Sequence, residues 1–139
     1  MIRLGGWCWY DADISNQLDP DKCDKWMYFF DDQAFAMRIC EKAILENVCC
    51  KCKCTDMQTT GSSTGVLCFY LNGDDIDAHH KVIQFMINND LIQKTKAGKL
   101  YNISFKFDNQ TRASQYGADF NGVLKLAQFV DLHTGHWLK

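Results

Sequence analysis

The chain has 139 residues, 47% hydrophobic and 13% aromatic, with a formal net charge of −2. That length fits a single α+β domain over residues 1–139 with a core of its own, and the composition excludes a disordered chain. The small negative charge excludes a generic nucleic-acid coat, which relies on an excess of positive charge, but leaves room for a local basic pocket.

No run of eighteen apolar residues offers a membrane span. The first residues, M-I-R-L-G-G-W, lack an apolar signal core, so the expectation is a cytoplasmic protein. Eight cysteines are then read as reduced thiols rather than as a disulfide framework.

Trp7 and Trp9 share one face if the first ten residues are extended, as a packing anchor or as part of a stacking surface. Residues 11–24 are polar, hold the only proline, and read as a loop. Residues 25–30, K-W-M-Y-F-F, read as a strand. Asp31 and Asp32 offer N-caps to a helix placed at 32–47, where Phe35, Ala36, Ile39, Cys40, Ala43 and Ile44 recur at helical spacing.

Residues 48–55, V-C-C-K-C-K-C-T, suggest zinc at first sight. Tetrahedral zinc needs pairs that bracket the ion. Here Val48, Cys50, Cys52 and Cys54 alternate with Cys49, Lys51, Lys53 and Thr55, which on a strand spaces the thiols about 7 Å apart in a row. The expectation is a core strand with no metal, carrying Lys51, Lys53 and Thr55 on its polar face.

A turn over 56–65 lacks the Gly-Lys-Ser/Thr ending of a phosphate loop. Residues 66–71 read as a central strand. A helix follows, capped by Asp74 or Asp75, with Ile76, His79 or His80, Ile83, Met86 and Ile87 inward. It is expected to end near Asn88-Asn89 in a left-handed cap. Residues 91–95 suggest a strand, 109–122 a loop and 123–132 a last strand.

Residues 100–112, L-Y-N-I-S-F-K-F-D-N-Q-T-R, alternate strictly at first. Tyr101, Ile103, Phe105 and Phe107 face one side; Asn102, Ser104, Lys106 and Asp108 face the other. With Gln110, Thr111 and Arg112 behind it, the polar row is either a plain wet face or a face that binds something anionic. The expected arrangement puts this strand in one sheet with the cysteine strand, and Lys53 and Lys106 together on the face away from the helices.

In order, K-W-M-Y-F-F, a helix, C-K-C-T, G-V-L-C-F-Y, an Asp-led helix and F-K-F-D-N-Q-T-R-A-S-Q-Y-G resemble the basophilic leukaemia-expressed protein family, part of the superfamily of the cap-binding translation initiation factor 4E. The resemblance covers roughly residues 25–117. It matches Lys53 to a lysine inside an apolar strand. It matches Phe105, Lys106, Asp108, Thr111 and Tyr116 to a second short motif. It implies a curved, mostly antiparallel sheet with two main helices on one face and a ligand surface on the concave side. Trp7, Trp9, Trp26 and Trp137 are candidates for a stacking role by residue type only.

Three functions are consistent with these residues. The first is a binding protein for a nucleotide or nucleic-acid end, with Lys53, Lys106 and Arg112 on phosphates, Asp108 on a base edge and an aromatic ring on the base. Such a protein could be a sequestering sponge for a signalling nucleotide, an anti-defence role. The second is a protein-interaction adaptor without a small ligand, acting through a protein partner or as a homo-oligomer. The third is a phosphodiester hydrolase pairing a histidine with Asp108 and Lys106. Binding without catalysis is the leading expectation, and no cofactor is expected.

Overall fold

The computed structural model describes residues 1–12, 18–19, 22–105 and 124–138. Strands β1 (Ile2–Leu4) and β2 (Trp7–Asp11) form a hairpin. Its two-residue turn needs positive φ at both positions, supplied by Gly5 at 62° and Gly6 at 83°. Strand β3 (Cys23–Phe30) leads into helix α1 (Gln33–Leu45), where Asp32 accepts a hydrogen bond from the Phe35 amide as N-cap. Strand β4 (Lys51–Thr55) is followed by one turn of helix, α2 (Met57–Thr60), and then by β5 (Gly65–Asn72). Helix α3 (Ile76–Asn88) is capped by Asp75.

Five strands form one sheet in the order β1-β2-β4-β5-β3, every neighbouring pair antiparallel. Strands β3 and β4 both flank β5, so α1 carries the chain across the sheet between them. Two rows of cross-strand partners set the two faces. Tyr10, Cys52, Phe69 and Trp26 form one row; Trp9, Lys53, Cys68 and Met27 form the adjacent one. Neighbouring rows point to opposite faces.

Both long helices cover the first face. The Cys52 thiol donates to the Cys40 carbonyl of α1 at 3.7 Å, and the Phe69 ring meets Phe85 of α3 at 5.9 Å. Among the described residues the class is α+β, with a mostly antiparallel sheet and three α-helices.

Several expected elements differ. The cysteine strand begins at Lys51, so Val48 to Cys50 form a turn and it is Cys49, not Cys50, that is buried there. Helix α3 ends without a left-handed cap at Asn89, whose φ is −105°; Asp90 takes that conformation one residue later. Residues 91–95 hold only an isolated bridge from Lys94 to Leu100.

The expected strand around Ile103 is described as β6 (Ser104–Phe105). It pairs with β7 (Leu124–Lys125) in a separate two-stranded sheet, not with β4. Tyr101 is exposed rather than inward. The expected last strand over 123–132 is cut short because Leu126–Gln128 turn as a 3-10 helix. The rest of the polar row, from Lys106 to Arg112, lies outside the described residues.

Candidate functional site

The face turned away from the helices carries an unusual group. Residues 7 and 9 of β2 project there because Cys8 and Tyr10 project into the core, at 0% and 6% exposure. On β4 the same alternation sends Cys52 and Cys54 inward, both fully buried, and leaves Lys51, Lys53 and Thr55 outward. Register then opposes Trp7 to Thr55, Trp9 to Lys53 and Lys51 to Tyr70. On the far side of β5, Tyr70 is opposite Lys25.

The result is an ammonium held among three rings. Lys53 Nζ lies 3.8 Å from the Trp7 ring centre, 4.7 Å from Trp9 and 5.7 Å from Tyr70. Lys51 Nζ lies 5.0 Å from the Trp9 ring and Lys25 Nζ 5.8 Å from the Tyr70 ring. The Trp9 indole donates to the Leu4 carbonyl at 3.3 Å, which fixes that ring against the β1–β2 hairpin. Each cation–π contact contributes about 0.5–1 kcal/mol where solvent reaches it. Three lysines on one patch raise the local positive potential on a chain whose overall charge is slightly negative.

This chemistry suits an anion attached to a flat ring. Ammonium groups attract phosphate, and the indole faces offer stacking area.

A separate cavity of about 270 Å³ lies at the end of β5, between the turn that follows α1 and the start of α3. It exists because β4 begins at Lys51, opposite Tyr70, while β5 runs on to Asn72. Tyr70, Asn47, Asn72 and Asp77 are among its walls.

Of the sequence-derived site residues, Lys53, Trp7 and Trp9 come together here. Trp26 does not: it is 0% exposed, on the helix-covered face, among His79, Phe105 and Phe129. Its placement corrects the stacking role suggested by residue type, since an enclosed ring offers a ligand no face. Trp137 is remote in sequence and is paired instead with α3, its ring 4.4 Å from His80 and its indole donating to Gln84. Lys106, Asp108, Thr111, Arg112 and Tyr116 lie outside the described residues.

Lys25 and Tyr70 were missed. The run V-L-C-F-Y-L is apolar throughout, so its sequence does not show that Tyr70 faces away from the core. Alternation in the sequence puts Lys51 on the polar face but gives it no role in a site.

His79 and Cys49 are engaged on the helix side, whereas Cys68 lies opposite Lys53 in the lysine-face row. The Trp26 indole, which can only donate, bonds His79 Nδ1 at 3.0 Å. His79 Nε2 therefore carries the proton and donates to the Gly73 carbonyl at 2.8 Å. Burial holds its pKa below the usual value. The Cys49 thiol is pushed up by its hydrogen bond with Cys52 and by burial, so it stays protonated on the helix side of the sheet. His133 and His136 sit in the exposed C-terminal turn, where the Asp131 side chain accepts from the His133 amide.

Among the described residues no helix is long and apolar enough to cross a membrane. No family model, curated protein or solved structure matches the chain.

Proposed function

We infer that this protein binds a nucleotide or a nucleic-acid end on the face of its five-stranded sheet turned away from the helices. The observation that carries the reading is the Lys53 ammonium among Trp7, Trp9 and Tyr70, with Lys51 and Lys25 beside it. The ligand's phosphate meets the lysines and its base stacks on an indole. The sequence reading adds Lys106 and Arg112 to the phosphate contacts, Asp108 and Thr111 to the polar ones and Tyr116 to the aromatic ones.

The finer assignment, a member of the initiation factor 4E-like superfamily with a curved sheet, belongs to this proposal. So do a cytoplasmic location and a sequestering role for a signalling nucleotide. Support for it comes from the sheet with helices on one face and a lysine–tryptophan group on the other.

Binding without turnover is the expected mode. The one buried histidine of the described residues has both ring nitrogens committed within the core.

A thermal-shift screen with nucleoside mono-, di- and triphosphates tests the reading. A ligand at one hundred times its Kd stabilises the native state by about 2.7 kcal/mol, a clear rise in Tm. If no nucleotide shifts the melting curve, the adaptor reading takes its place. That reading has its own observation, the exposed Ile2 and Leu4 on edge strand β1, at 62% and 69%.

A further inference from the structure

We propose that the edge of β3 carries a second ligand pocket, which takes an uncharged adenine ring. The pocket is separate from the lysine group and does not rest on the nucleotide reading of that face.

It is a cavity of about 350 Å³, walled by Met27 and Phe29 of β3, by Leu91 and Gln93 beyond α3, and by Tyr101 and Ile103 ahead of β6. Strand β3 ends the five-stranded sheet, and β6 pairs with β7 instead of extending it. The space beside Met27 and Phe29 is therefore bounded by side chains. Its volume is at the small end for a ligand pocket, room for one base rather than a larger cofactor.

The walls set the chemistry. None of them is a lysine, arginine, histidine, aspartate or glutamate, so a charged group gains no ionic partner inside. Leu91, 4% exposed, closes the pocket on the core side. The aromatic walls are open instead: Phe29 is 67% exposed and Tyr101 45%. Rings left uncovered in this way offer faces on which a base stacks.

Gln93 supplies the reading of the base edge. Its backbone carbonyl accepts from the Tyr101 amide at 2.9 Å, which holds these two walls side by side. Its side-chain amide bonds no described residue. That amide presents a donor beside an acceptor. Adenine offers the complement, an amino donor beside a ring-nitrogen acceptor, and is the base with which a glutamine pairs through two hydrogen bonds.

The experiment titrates adenosine, which has no phosphate, into the intact protein by calorimetry. Purine riboside, which is adenosine without its amino group, is the comparison. Adenosine is expected to bind about tenfold more tightly than purine riboside. Its affinity should hardly change with salt, because no ionic contact forms. Gln93→Ala erases the difference between the two nucleosides, and Tyr101→Ala weakens both. Both side chains are exposed, so the Tm of each variant should hold. Lys53→Ala leaves adenosine binding unchanged. Absence of adenosine binding overturns the pocket, and adenosine 5′-monophosphate that still binds through Lys53 then leaves the lysine-face reading intact. Adenosine binding that is lost in Lys53→Ala, or that keeps its full preference in Gln93→Ala, also overturns the pocket. Adenosine that binds as expected while no nucleotide responds to Lys53→Ala sustains the pocket and sinks the lysine-face reading alone.

Discussion

Lys53 Nζ stands 3.8 Å from the ring centre of Trp7, held there by the register that sets β2 against β4. The contact links charge and stacking area in one unit. Lys53→Ala removes the ammonium without opening a core cavity, because the side chain projects from the face opposite the helices. Affinity for a phosphorylated ligand is expected to fall about ten- to a hundredfold, corresponding to a charge-assisted contact of roughly 1.5–3 kcal/mol. The Tm should move little. Parallel titration and thermal melts check both halves, and a large loss of Tm with unchanged affinity would refute the assignment.

His79 makes the core sensitive to acid. Its pKa is lowered, chiefly by burial, so the folded protein resists protonation there while the unfolded chain takes up a proton near pH 6.5. Stability from this group is present above about pH 6.5 and is lost as pH falls below it, until the depressed folded value is reached. The slope approaches about 1.4 kcal/mol per pH unit. Urea midpoints between pH 7 and pH 5 should show the loss, and His79→Gln should flatten it. The variant itself is less stable, since disturbing the Trp26 bond costs about 1–3 kcal/mol.

Gly65 is required by space rather than by backbone angle. A Cβ at this position would lie 2.6 Å from Phe30 Cζ and 2.8 Å from Thr55 Cβ. The phenyl ring can tilt, but Thr55 Cβ is held by the β4 backbone and by the bond from the Val66 amide to Thr55 Oγ1. Gly65→Ala should therefore destabilise the protein by about 1–3 kcal/mol, read as a shifted denaturation midpoint. An unchanged midpoint would mean that β4 and β5 part easily at this end.

Elements with a strong local signal were legible in the sequence. Asp32 and Asp75 announced their helices, and alternation in C-K-C-T separated buried Cys52 and Cys54 from outward Lys51 and Lys53. What failed depended on long-range pairing. Ile103 to Phe105 alternate like a strand of the main sheet, yet β6 found its partner in β7, a choice no local pattern records. Trp26 and Tyr70 illustrate the same limit from opposite sides. Both sit in aromatic apolar runs, and only the register sends one into the core and the other to the lysine face.

Lys25 offers the last test, because sequence pattern gave it no role and geometry does. Its Nζ lies 5.8 Å from the Tyr70 ring, on the strand that closes the face opposite Trp9. If it meets a ligand phosphate, it adds one ionic contact to those of Lys51 and Lys53. Each such contact on a single-stranded ligand contributes about −0.7 to the slope of log affinity against log salt concentration. Lys25→Ala should thus make that slope shallower by about 0.7, with weaker binding at low salt and a smaller difference at high salt. Titrations of wild type and variant across a salt series measure this directly. Lys42→Ala, on the helix side where its amine bonds Asn89, is the control and should leave the slope unchanged. A Lys25 variant that also leaves it unchanged would confine the phosphate to the β4 lysines.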